Sequence, residues 1–271
     1  MDSTEGAIVS LAPAGAMPRP LLTLESVTMR FGGLYAVRDL AMSVPDGCVF
    51  GLIGPNGAGK TTIFNVITGV YSPTGGRVLF GGTAIEGWKP ARVTISGIAR
   101  TFQNVRLFSD LTVLENVMIA FHHGSKATLL DAIVRGRRFA EEEARIREKA
   151  MELLRIFGLH PLADEPAKGL PYGRQRRLEI ARAMATGPRL LCLDEPAAGM
   201  NAQESLDLMK LIRWVRDEFR MTILLVEHNM RVVMGICETI QVVDYGETIA
   251  VGPPEEIRRN PQVIEAYLGG A

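Results

Sequence analysis

Apolar and polar positions alternate with a period near two over LLTLESVTMRF (21–31) and again near 34–44, with Gly32-Gly33 between them; the pattern predicts two strands and a turn. CVFGLIG (48–54) is instead an unbroken apolar run ending in glycine, as a strand buried on both faces would be. A helical pattern follows from Lys60 to about Thr68, and RVLFGGTAI (77–85) predicts a further strand with a turn or bulge at Gly81-Gly82. Between about 112 and 187 the period changes to that of helices. From Glu141 to Phe157 it places Ile146, Ala150, Leu153, Leu154 and Phe157 on one stripe, sets Glu141/Arg145 and Glu143/Arg147 on the outer face, and stops at Gly158. RLLCLDE and TILLVEH are strand-like runs flanking a helix at 202–218, and TIQVVDYGETIAVG predicts a hairpin turning at Tyr245-Gly246. Strands alternating with helices imply an α/β fold with a mainly parallel core sheet, here interrupted by an inserted helical subdomain at roughly 104–187.

The 271 residues fit one large domain, or a domain with a subdomain, and 47% hydrophobic with 22% charged residues is globular composition. Lys plus Arg and Asp plus Glu are both 30, so no global charge recruits nucleic acid or an anionic membrane face. Cys48, Cys192 and Cys237 are widely separated without metal-ligand spacing, which suits a reducing compartment. Residues 1–20 are rich in Ala, Pro and Gly and carry Asp2 and Glu5 where a signal peptide is positive, so a mobile tail is expected, followed by one domain over 21–271. No window of about 18 apolar residues occurs, so a soluble, cytosolic protein is expected, whose link to a membrane would run through a partner.

The strongest chemical signal is GPNGAGKT, Gly54 to Thr61, placed between an apolar strand and a helical pattern. Gly54, Gly57 and Gly59 let the backbone curl so that the amides of Asn56, Gly57, Ala58, Gly59, Lys60, Thr61 and Thr62 can face phosphate oxygens at a helix N-terminus. Lys60 would reach the β- and γ-phosphates, and Thr61 would ligate Mg2+. The acidic pair Asp194-Glu195 ends a predicted buried strand, where open α/β sheets hold ligands. Asp194 would hold Mg2+ through water and Glu195 would polarise an attacking water. Two carboxylates at a strand end are by themselves most often solvated; the phosphate loop is what favours the metal reading. Gln103, in IARTFQN, has an amide able to ligate metal and orient water. His228, after ILLVE, could contact a γ-phosphate, or could be structural.

Phosphate loop, glutamine, glycine motif at a helix start, Asp-Glu-Pro, and His after the last core strand occur in the order that resembles the ATPase subunit of ABC transporters, over residues 21 to 271. The resemblance implies a P-loop ATPase fold with an N-terminal antiparallel β-subdomain, and ATP with Mg2+ as ligands. Catalytic roles then fall to Glu195, His228, Gln103 and Lys60. The family's glycine signature, usually LSGGQ, corresponds here to Leu170-Pro171-Tyr172-Gly173-Arg174. Pro171 removes a hydroxyl contact to the γ-phosphate, worth about 1.5–3 kcal/mol. Gly173 and the helix N-terminus remain, and Arg174 adds a positive group. Weaker or slower dimer closure is expected. Asn201 stands where the family usually has Asp, leaving the charge at the dimer seam open. Phe31 falls where an aromatic stacks on adenine, with Val37 on the same face, although Phe31 could equally be core.

The LPYG-type signature followed by RQRRLEIARA, the EPAAGMN segment, the inserted helices at 126–157 and the ending EAYLGG are similar to the subfamily importing branched-chain amino acids and related amides, in particular the longer of its paired ATPases. That resemblance implies a homodimer, or a heterodimer with a second ATPase, at the cytoplasmic face of the inner membrane. A periplasmic binding protein would take part indirectly. Membrane permease subunits would dock by the segment after Gln103, where Leu107 and Phe108 are otherwise ordinary core candidates. Two other readings remain: a soluble ABC ATPase outside transport, disfavoured by a single cassette without sustained heptads, and a regulatory module with little turnover.

Overall fold

A computed structural model describes residues 20–103, 105–122 and 137–268. The expected N-terminal tail up to residue 19, Asn104, the 126–136 part of the inserted helices and the final glycines of EAYLGG lie outside the described residues.

Strands β1 (Pro20–Phe31) and β2 (Leu34–Pro45) pair antiparallel, and β1 also pairs with β4 (Gly75–Phe80), which turns into the short β5 (Thr83–Ala84). This gives an antiparallel sheet of order β2-β1-β4-β5. The second sheet contains β3 (Val49–Ile53), β6 (Ile98–Arg100), β7 (Leu190–Asp194), β8 (Thr222–Val226), β9 (Thr239–Asp244) and β10 (Glu247–Gly252), in the order β10-β9-β3-β8-β7-β6. All its pairings are parallel except the β9–β10 hairpin.

Every residue of β3, β7 and β8 is buried, because the sheet is covered on both faces. Their side chains alternate between two cores. Val49, Ile53, Leu191, Leu193, Ile223 and Leu225 face the helices that follow β6 and β8, while Phe50, Leu52, Leu190, Cys192, Leu224 and Val226 face the antiparallel sheet and helix α1 (Lys60–Ile67). The three cysteines are free and buried.

After the short helix α2 (Pro90–Ile95) and β6 come three helices: α3 (Val113–Phe121), α4 (Arg137–Ile156) and α5 (Tyr172–Met184). Helix α3 begins with a reciprocal cap, in which Thr112 Oγ1 accepts from the Glu115 amide at 3.1 Å and the Glu115 carboxylate accepts from the Thr112 amide at 2.8 Å. The expected stripe of α4 is buried, and Phe157 closes it ahead of Gly158, whose φ of 67° suits a helix end. Helix α6 (Ala202–Phe219) joins β7 to β8. Three elements beyond the sequence expectation complete the chain: α7 (Met230–Ile236), α8 (Pro254–Ile257) and α9 (Pro261–Leu268).

One buried cation ties the helices to the sheet edge. The side chains of Arg176 on α5 and Glu179 are only 1% and 2% exposed and pair at 2.8 Å. Arg176 also donates to the carbonyls of Phe102, at 2.6 Å, and Gln103. Glu179 Oε1 accepts from the amides of Phe102 and Arg106 at 3.3 and 3.4 Å. A charge so buried is stable only with its partners in place. Arg176→Met should therefore cost about 3–5 kcal/mol of unfolding free energy, measured by urea denaturation.

Candidate functional site

Parallel strands deliver their carboxyl ends to one edge of the six-stranded sheet, and the chemistry-bearing residues follow them. Gly54 leaves β3 with φ 157°, and a Cβ there would lie 2.0 Å from the Val243 carbonyl oxygen on β9. Gly59 has φ 99°, with a Cβ position 2.5 Å from the Ala36 carbonyl oxygen. Side chains at these two points would push the loop off the sheet, so the curl depends on glycine. The loop then feeds α1, where Lys60 is 8% exposed. Its Nζ donates to the carbonyls of Gly54 at 2.6 Å and Pro55 at 2.8 Å. Burial lowers the Lys60 ammonium from its ordinary range, while the carboxylates of Glu195 and then Asp194 act to raise it. A phosphate seated in the loop would compete with those two carbonyls for the ammonium.

Asn56, Gly57, Ala58, Gly59, Lys60, Thr61 and Thr62 line a cavity of about 650 Å3 together with Gln103 and Glu195. Glu195, which follows β7, has φ 45°, a left-handed conformation held by its amide donating to the Val226 carbonyl at 2.8 Å. Its Oε2 accepts from Gln103 Nε2 at 2.7 Å and lies 3.6 Å from His228 Nδ1. The sequence-predicted Lys60, Gln103, Glu195 and His228 are thus brought together. Asp194, 6% exposed, lies behind them and pairs with Arg100 at 2.7 Å.

The other expected residues sit elsewhere. Val37 is fully buried, because strand alternation turns its side chain into the core beneath the antiparallel sheet; it does not line the cavity. Phe31 is 43% exposed and packs edge-on against Tyr71 at 5.3 Å. The wall at this end is made by Leu34, Tyr35, Ala36 and Arg38, with Tyr245 and Glu247 beside them, Arg38 pairing with Glu247 at 3.2 Å. Gly173 and Arg174 line a separate cavity of about 370 Å3 with Pro171, Arg177, Glu204 and Asp207. Pro171 is the N-cap of α5 and supplies no side-chain bond. Asn201 caps α6, accepting from the amides of Gln203 and Glu204, both at 2.9 Å.

Sequence reasoning missed three supporting residues. Arg100 is the partner of Asp194. Tyr267 on α9, itself 37% exposed, stands beside the Gly54 backbone, and partial burial of its phenol pushes it up to about 12. Glu227, 0% exposed, accepts from the amides of Ala197 at 2.7 Å, His228 at 3.2 Å and Asn229 at 3.3 Å. Burial raises its carboxyl against the opposing pull of those amides and of His228. The acidic residue before His228 was visible in the run ILLVEH, but nothing local marks it as buried.

A phosphate loop, a strand-end acidic pair, a glutamine and a histidine at one sheet edge, with a separate glycine motif at a helix start, define an ATP-binding cassette. Residues 37–198 match the family model described as ABC transporter, and the chain belongs to that family. Residues 247–271 further match the model of the branched-chain amino acid ATP-binding cassette transporter. The chain is 47% identical over 255 residues, 94% of its length and 100% of the relative, to the high-affinity branched-chain amino acid transport ATP-binding protein BraF of Pseudomonas aeruginosa. It is 46% identical over the same shares to LivG of Escherichia coli, also a high-affinity branched-chain amino acid transport ATP-binding protein. Among solved structures, the ADP conformation of MJ1267, an ATP-binding cassette of an ABC transporter, superposes with a TM-score of 0.81 at 32% identity, covering 92% of this chain and 99% of that one.

Because Glu227 ties the Ala197 turn to the His228 turn, Glu227→Gln would set an amide NH2 against backbone donors. The expected loss is about 1–3 kcal/mol of stability by urea denaturation, accompanied by slower phosphate release from ATP.

Proposed function

We propose that this chain is the ATP-hydrolysing subunit of an importer for branched-chain amino acids or related amides, acting at the cytoplasmic membrane face as one half of a nucleotide-sandwich dimer. The observation that carries the reading is the convergence of Gln103 and His228 on the single carboxylate oxygen of Glu195, beside the phosphate loop. A module that binds nucleotide without turnover has no use for that arrangement. The import assignment rests on the C-terminal match and on the names of the relatives.

ATP would lie with its phosphates over the amides of Asn56 to Thr62, and its base toward the end of the cavity lined by Leu34 and Tyr35, with Phe31 across the Gly32-Gly33 turn. The donors available for Mg2+ fit a hard cation: the Thr61 hydroxyl, the Gln103 carbonyl oxygen (its nitrogen being spent on Glu195) and Asp194. The bound ion supplies charge neutralisation for the β- and γ-phosphates. Lys60 holds the same oxygens. Glu195 accepts a proton from the attacking water, while His228 orients the γ-phosphate and Gln103 fixes Glu195. Gly173 and Arg174 are outside the phosphate-loop cavity of their own chain, so they reach a γ-phosphate only from an opposing subunit, either a second copy or a homologous ATPase. Closure then depends on the γ-phosphate, and its loss reopens the dimer.

The permease would enter a groove of about 600 Å3 lined by Thr94, Arg106, Leu107, Phe108, Ile119 and Arg182. Phe108 is 49% exposed, so it leaves a large apolar side chain on the surface. No described helix is long and apolar enough to cross a membrane, so anchoring falls to this contact.

Glu195→Gln should lower phosphate release roughly 10²–10⁴-fold while keeping ATP binding. By size exclusion with Mg-ATP it should dimerise more than the slowly hydrolysing wild type. A variant with undiminished turnover would remove Glu195 from the mechanism. Phe108→Asp should leave the basal ATPase of the isolated chain within about twofold, since the residue is a surface one. It should abolish stimulation by the permease in proteoliposomes and uptake of labelled leucine.

A further inference from the structure

Asp194 does not stand free at the strand end. Arg100 closes β6, in register with Cys192 on the neighbouring β7, and reaches across with Nη2 to Asp194 Oδ2 at 2.7 Å. The same guanidinium donates through Nη1 to Asn65 Oδ1 at 2.6 Å and Thr68 Oγ1 at 3.3 Å, at the far end of the phosphate-loop helix. The Phe64 and Phe102 rings flank it at 5.4 and 5.3 Å. The paired side chains are 10% and 8% exposed, so little solvent screens their charges. The Arg100 Nε is buried without a partner, so the group is not held for the sake of full hydrogen bonding; its terminal nitrogens fix its place.

We infer that Arg100 is a positioning residue that competes with the divalent cation for Asp194, so that an internal guanidinium sets how much metal the ATPase needs. The inference rests on the proposed role of Asp194 toward Mg2+. Two positive groups directed at one carboxylate oppose each other, and each weakens the other's hold in a poorly screened site. Arg100 also keeps the carboxylate beside the loop by anchoring it to α1. A merely structural ion pair and a metal-tuning one then differ in sign. Losing a structural pair leaves metal binding unchanged or weaker, whereas losing a competitor tightens it.

The test uses Mn2+ as the probe, titrated by electron paramagnetic resonance into the full chain carrying ATP, in the Glu195→Gln background so that nucleotide persists. Arg100→Gln, confirmed folded by circular dichroism, should bind Mn2+ roughly tenfold more tightly, the order of effect of one charge neighbouring another. Arg100→Lys, which keeps a cation near Asp194, should stay within about threefold of the parent. An unchanged or weaker Mn2+ affinity in folded Arg100→Gln overturns the inference. Should Arg100→Gln not fold, Arg100→Met decides by the same outcomes: tighter Mn2+ binding supports competition by charge, and unchanged or weaker binding overturns it. Asp194→Asn separates the two levels. If it leaves Mn2+ binding intact, the metal role of Asp194 is wrong and the inference goes with it. If it weakens binding while Arg100→Gln does not tighten it, only the role of Arg100 is wrong.

Discussion

The shared direction of the parallel strands is the constraint on which the site depends. β3, β8, β7 and β6 are neighbours in that order, and their parallel register brings the phosphate loop, His228, Glu195 and Gln103 to one edge although they are scattered along the chain. Parallel pairing needs crossover connections, and here the crossovers are the helices that bury both sheet faces. Packing and placement of chemistry are therefore one arrangement. A slip of one residue in β7 would exchange Leu191 and Leu193 with Leu190 and Cys192 between the two cores, and would turn Asp194 and Glu195 away from the loop.

Charge then finishes what the strands begin. Each ionised group near the phosphate loop has a specific opponent: Lys60 two carbonyls, Asp194 the guanidinium of Arg100, Glu195 the Gln103 amide. Farther back, Arg176 holds the carbonyls of Phe102 and Gln103 while Glu179 holds the amides of Phe102 and Arg106. The start of the groove proposed for the permease is consequently bonded to the same helix, α5, whose first turn carries Gly173. One buried pair thus holds Arg106, the Phe102–Gln103 backbone and α5 together.

The legible parts of the sequence were those whose signal is local. The phosphate loop declares itself by eight consecutive residues, the core strands by unbroken apolar runs, and the α4 stripe by its period. Asp194 and Glu195 read as a site only beside the phosphate loop, since carboxylates at a strand end are by themselves most often solvated, and Gln103 and His228 take their weight from their order in the chain. Arg100, Arg176 and Glu227 were not legible, because each is buried through a contact with a distant segment, 94, 74 and 30 residues away, and nothing near them in the chain announces burial. The short helices α7, α8 and α9 carry too few turns for a period to emerge. Val37 departs from its expected place for the opposite reason: the strand is there, but the face its side chain takes is set by packing against the second core, where it is fully buried.

The departures at Pro171 and Asn201 gain a physical meaning that their residue types alone do not carry. Proline as the N-cap of α5 gives up a side-chain acceptor, yet the extended backbone it favours, φ −55° and ψ 149°, is the conformation a helix entry requires. Asn201 matches aspartate as a cap, since its amide oxygen accepts from both Gln203 and Glu204. Glu204 completes the box by accepting from the Asn201 amide at 2.9 Å, and it borders the same cavity as Gly173 and Arg174. A carboxylate is thus already present beside the signature turn, supplied one helical turn later than the family pattern places it. With asparagine at the cap, that turn holds one negative group instead of two.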